Sequence, residues 1–88
     1  MYTFNDYIAV VIAKGSAATK TINRACATKQ LSELQCTRVK GELRKAFDAT
    51  RLARSTKQPQ EALDHVSTAN SILLTIDQLL SVYGADNE

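Results

Sequence analysis

The sequence predicts an all-α fold: an antiparallel helical hairpin with one or two additional N-terminal helices. Three observations carry this expectation. Only one proline and three glycines occur in 88 residues, so few positions break a helix. Two stretches place apolar side chains at alternating spacings of three and four, the period of a helix seam. The second stretch begins at Pro59 and stops at Gly84, residues favoured just inside a helix start and just past its end.

In the first third of the chain, Phe4, Tyr7, Ile8, Val11, Ala18, Ile22 and Ala25 follow a roughly helical spacing. Gly15-Ser16 interrupts it. The expectation is therefore two helices, residues 5–13 and 16–27, with the second free to run into the next element. The β-branched run Val10-Val11-Ile12 leaves a strand over Tyr7–Ile12 as an alternative, but no second strand is evident to pair with it.

A helix is expected over residues 29–54. Its seam is Cys36, Val39, Leu43, Ala46, Thr50 and Ala53, widened by Leu34, Phe47 and Leu52. Thr28 or Ser32 is a candidate cap, and Ser32 with Gln35 fits the capping-box pattern. The short polar link Ser55-Thr56-Lys57-Gln58 predicts that the next helix lies antiparallel. That helix, residues 59–83, carries Glu61 in its first turn, where a negative charge favours the dipole. Its seam runs Ala62, Val66, Ala69, Leu73, Ile76, Leu80 and Tyr83. Val66, Leu73, Ile76, Leu80 and Tyr83 are expected to pack against Val39, Leu43 and Ala46. The tail, residues 85–88, is expected to fray. All of residues 1–88 read as a single helical domain.

A chain this short buries only about 60–65% of its unfolded surface, so small domains often need a disulfide, a metal or a partner. The cysteines, Cys26 and Cys36, lie ten residues apart. The N-terminus Met1-Tyr2-Thr3-Phe4-Asn5-Asp6 lacks a basic signal-like region and carries an acid. The expectation is a cytoplasmic chain whose two thiols stay reduced and pack as small core residues. His65 is the lone histidine, and no CxxC or HxxxH spacing occurs, so no metal is expected. The longest apolar run, Ile8–Ala13, falls well short of the ~20 residues that span a bilayer. No cofactor and no membrane partner is expected.

Net charge is +2, but it is unevenly spread. All eleven Lys and Arg lie between Lys14 and Lys57, with only three acids, a segment charge of +8. From Gln58 onward there are five acids and no basic residue. Either the two halves attract each other, or the basic one meets an acidic partner or nucleic acid.

Catalytic motifs are missing: the sequence contains no GxSxG, no P-loop and no GxGxxG, so no enzyme is expected. Binding is the better expectation. The apolar stripe of the last helix spans about 140°, wider than one hairpin partner covers. Leu63 and Leu74 form a second patch beside it, and Val82 stands almost opposite. Leu63, Ile72, Leu74, Leu79 and Tyr83 are the candidate partner-binding residues, for another helical protein or for self-association. Tyr2, Phe4 and Tyr7 gather aromatics at the N-terminus, as a contact surface or as a fastening to the core. Lys40, Arg44, Arg51 and Arg54 fall within about 80° of one helix face. They are the candidate residues for nucleic acid or an acidic partner, the alternative function.

The stretch Leu52-Ala53-Arg54 through Pro59, followed by Ala69, Ile72, Leu73, Ile76, Leu79, Leu80 and Tyr83, resembles the small co-chaperones of bacterial type III secretion needle proteins. Those are helical hairpins with a proline-containing turn and an Ala-rich, then Leu/Ile-rich, second helix. The resemblance covers about residues 40–83. It implies a cytoplasmic protein that pairs with a larger helical chaperone and keeps a needle subunit monomeric before export. Residues 1–28 exceed what such co-chaperones carry.

Overall fold

The computed structural model describes residues 3–84. Three helices make up the described chain: α1 (Phe4–Ala27), α2 (Glu33–Ser55) and α3 (Pro59–Val82). They form a rod of 42 × 23 × 18 Å. A helix of 24 residues is about 36 Å long, so each helix runs most of that length.

The N-terminal region is one continuous helix, where two helices were expected and a strand over Tyr7–Ile12 stood as the alternative. Its start is held by a capping box. Thr3 Oγ1 accepts from the Asp6 amide, and an Asp6 carboxylate oxygen accepts from the Thr3 amide at 2.8 Å. Gly15 does not break the helix because it is buried within it. Its lack of a side chain serves packing against Phe47 rather than a turn. Tyr2 and the tail at residues 85–88 lie outside the described residues.

α1 ends in a Schellman motif. The Gln30 amide donates to Ala25 O at 2.9 Å and the Lys29 amide to Cys26 O at 3.2 Å. This geometry needs a left-handed residue between them, and Lys29 takes that role at φ 62°. Leu31 follows, only 3% exposed, and anchors the turn in the core. The expected start of the second helix near Lys29 is therefore corrected to Glu33. Ser32 is its cap, with Gln35 completing the capping box.

α2 ends at Ser55, and the link to Pro59 is three residues long. Pro59 sits in the first turn of α3. Gly84 follows its end at φ 76°, and the Gly84 amide donates to Ser81 O. α2 and α3 share the most extensive interface, which fits the expected hairpin.

α1 runs antiparallel to α2. Gly15 meets Phe47 and Cys26 meets Cys36, two pairs whose residue numbers add to the same value. α1 runs parallel to α3, since Lys14 Nζ reaches Asn70 Oδ1 at 3.2 Å and Tyr7 shares a cleft with Leu63.

All three helices feed one core. Ile22, Val39 and Ile76 are fully buried, joined by Leu43, Leu73, Leu80 and Leu31. Ala46, Ala49, Ala53 and Ala69 line the rest, small enough for helix axes to approach closely. Thr50 is buried on this face, and its hydroxyl donates to Ala46 O at 2.9 Å. No polar group there goes unsatisfied, at little cost to the helix.

The cysteines are joined, not reduced. Cys26 and Cys36 form a disulfide across the α1–α2 turn, and both are only half-buried. The expectation of two reduced core thiols is corrected on both counts. The Schellman turn places Cys26 on the flank of α1 that faces the first turns of α2, where Cys36 lies within one bond of it. A reducing compartment would open such a bond.

Three stability changes follow. Leu73→Ala should cost about 2–5 kcal/mol in urea unfolding, because Leu73 is 5% exposed in the shared core. Reducing the disulfide should cost about 3 kcal/mol on the chain-entropy account of a short closed loop, read as a lower melting temperature in excess reductant. Lys29→Gly should stabilise the chain by about 1 kcal/mol, since glycine relieves the left-handed conformation.

Candidate functional site

The helices leave two different surfaces beside the core. The first is the seam between α1 and α3. It stays open along much of its length. Near the start of both helices, Tyr7, Val10, Val11, Leu63 and Val66 line a cleft of about 520 Å³. Further along, Ala17, Ala18, Leu73, Leu74 and Leu80 line a second cleft of about 220 Å³. Lys14 and Asn70 border both clefts and bridge the seam between them with their 3.2 Å hydrogen bond. Asp6 stands at one end and Asp77 at the other.

The rims of this groove are apolar. Tyr7, Val10, Leu63 and Leu74 are each between 40% and 54% exposed. The cause lies in side-chain size. Ala17 and Ala18 on α1 line the floor of the seam, while the bulkier Tyr7, Val10, Leu63 and Leu74 stand along its rims.

The five candidate partner-binding residues separate into two groups. Leu63 and Leu74 line the α1–α3 groove and are exposed. Ile72, Leu79 and Tyr83 are half-buried and packed against the core, about half a helical turn away around α3. Val82 is 80% exposed and borders neither cleft. Tyr7 and Val10 belong to the groove as well. Their part was illegible in the sequence, because it depends on α1 lying parallel to α3.

The second surface lies where α1 meets α2. α2 carries six basic and three acidic residues, whereas α3 carries three acidic residues and no basic one. Lys40, Arg44, Arg51 and Arg54 are all exposed and share one flank of α2. Arg51 is paired with Asp48 one turn away, and Lys45 with Glu42 at 3.2 Å. Both are surface pairs, which contribute little to stability. Among the described residues, Lys40, Arg44 and Arg54 form no ion pair.

Phe47 sits in the middle of this stripe. Phe47 is 43% exposed, and the inner edge of its ring rests on Gly15 of α1. A Cβ on Gly15 would come within 2.9 Å of the ring, so the missing side chain is what lets the ring lie there. Phe47, Arg51, Arg54 and Ser55 line a shallow cleft at the outer edge. Sequence reading placed Phe47 as extra width on the core seam; its pairing with Gly15 has no local signature.

The other polar groups gather less. Cys26 and Cys36 are joined to each other. Among the described residues, no three His, Cys, Asp or Glu side chains come together to hold a metal ion, and no helix is long and apolar enough to cross a membrane.

The Gly15–Phe47 contact is open to a double-mutant cycle. Gly15→Ala should stabilise a Phe47→Ala chain by about 1 kcal/mol through helix propensity. In the wild-type chain the gain should shrink or reverse, because the new methyl meets the ring. Additive effects in urea unfolding would show that the ring does not rest on Gly15.

No protein-family model, curated protein or solved structure matches the chain significantly.

Proposed function

We infer that this chain is a non-enzymatic helical module that binds a partner protein by taking an amphipathic helix of that partner into the α1–α3 groove. The observation that supports this reading is the groove itself: a long apolar trough between two parallel helices, with Tyr7, Val10, Leu63 and Leu74 exposed along its rims. Apolar side chains in contiguous exposure mark interaction surfaces more often than scattered ones do. A trough between helices suits a third helix, whose side chains at i, i+3, i+4 and i+7 fill successive clefts.

The groove also specifies the polarity of its occupant. Lys14 stands at mid-length, and among the described residues its ammonium group is held only by a neutral amide. A partner helix with an acidic residue at its centre would replace that hydrogen bond with a stronger, charge-assisted one. Aspartates at both ends disfavour an acidic residue there. A partner helix is also what the resemblance of residues 40–83 to needle co-chaperones implies. Masking such a helix is the act of a chaperone or an adaptor.

The test is reconstitution. A protein captured from the producing cells is purified and mixed with the wild-type chain, with Leu63→Gln/Leu74→Gln, and with Lys14→Ala. Size exclusion with light scattering reads the complex. The double variant should lose it while its melting temperature stays within a few degrees of wild type, because both residues are exposed. Lys14→Ala should weaken it several-fold. A complex that survives the double variant unchanged overturns the groove as the binding site.

A further inference from the structure

We propose that the α1–α2 face is a second binding site, for single-stranded nucleic acid, in which Phe47 stacks on a base and Lys40, Arg44, Arg51 and Arg54 hold the flanking phosphates.

The arrangement of this stripe carries the inference. Residues 40, 44, 47, 51 and 54 recur at spacings of four and three, so they share one flank of α2 over about 21 Å. The order is cation, cation, aromatic, cation, cation. Each pair of cations spans about one helical turn, with the ring between the pairs. Nonspecific recognition of single strands uses this combination: a basic track for the backbone and an aromatic surface for a base.

Phe47 fits the stacking role better than a core role. Phe47 is 43% exposed, while its neighbours Ala46 and Ala49 occupy the buried positions of α2. The ring is nonetheless held in place, because its inner edge lies on Gly15. A seated, partly exposed ring binds a base without first being ordered. The cleft beside it is lined by Arg51, Arg54 and Ser55, two cations and a hydroxyl suited to a phosphate.

The electrostatics favour a polyanion. Three of the four cations form no ion pair among the described residues, and the fourth, Arg51, is engaged there only by the half-exposed Asp48. The acidic helix α3 lends no side chain to this cleft. A duplex reader would instead need hydrogen-bonding side chains at the centre of the stripe to meet base edges; the centre here is a hydrocarbon ring.

The experiment is fluorescence anisotropy of the full, oxidised chain with a labelled twelve-nucleotide oligothymidylate. It is repeated with an abasic oligonucleotide of the same length and with polyglutamate. Four neutralised phosphates predict a slope of about −3 in the logarithm of affinity against the logarithm of salt. Arg44→Ala should flatten that slope by about 0.7. Phe47→Leu should weaken oligothymidylate binding about fivefold to a hundredfold, the range of one lost stacking contact, and leave the abasic strand unaffected. Asp48→Asn frees Arg51 and should tighten binding.

A Phe47→Trp chain adds an optical readout, since the natural sequence holds no tryptophan. Its emission should be quenched by oligothymidylate and not by the abasic strand. Circular dichroism confirms that each variant is folded. Equal binding of polyglutamate and oligothymidylate, unaffected by Phe47→Leu, would assign the face to an acidic protein instead and overturn the proposal. No binding of oligothymidylate at low salt by a folded wild-type chain would overturn it as well.

Discussion

The seam between α2 and α3 buries only part of the apolar width of α3, and the chain becomes a bundle because α1 is turned back over the remainder. The turn at residues 28–32 does this work. Its Schellman hydrogen bonds close α1 after Ala27, Leu31 plugs the corner, and Ser32 opens α2 with a reciprocal cap. The Cys26–Cys36 bond holds the same corner covalently. With α1 in place, Ile22, Val39 and Ile76 meet as one fully buried cluster. Without it, Leu73 and Leu80 would face water.

The same constraint produces both candidate surfaces. A third helix laid across a hairpin forms two seams, and the residues at each seam decide how tightly it closes. Against α2, Gly15 admits the Phe47 ring, and the basic flank of α2 rises beside it. Against α3, small residues close the bottom of the seam, while Tyr7, Val10, Leu63 and Leu74 keep its top open. One side of the bundle is thus apolar with a single central cation, and the other is basic with a single central ring. These are opposite chemistries on opposite flanks of α1, and they suit different ligands.

Charge follows the helices rather than the faces of the folded rod. α2 is basic and α3 acidic, so their shared seam is attractive in sum, yet among the described residues the ion pairs that form are local ones within α2. The uneven charge seen in the sequence therefore serves less to bind the halves together than to give each flank its own character.

Much of the architecture was legible in the linear chain. The seams at residues 36–53 and 62–83, the Ser32–Gln35 box, Pro59 at the helix start and Gly84 after its end all rest on local periodicity and backbone preference, which operate within a few residues. The all-helical class and the exposure of Leu63, Leu74 and the four cations follow from the same source. Three features were not legible. Gly15 looked like a break because glycine is a poor helix former locally; it is a packing device because Phe47, 32 positions away, needs the space. The left-handed turn at residue 29 carries a lysine where local preference calls for glycine. Cys26 and Cys36 looked like separate core thiols because their distance depends on how α1 and α2 are turned against each other. Helix formation is a local equilibrium, so the sequence by itself determined the helices and their apolar faces. Which faces meet is decided by contacts between residues far apart in the chain, and only the tertiary structure settled the α1 register that creates the groove, the aromatic seat and the disulfide.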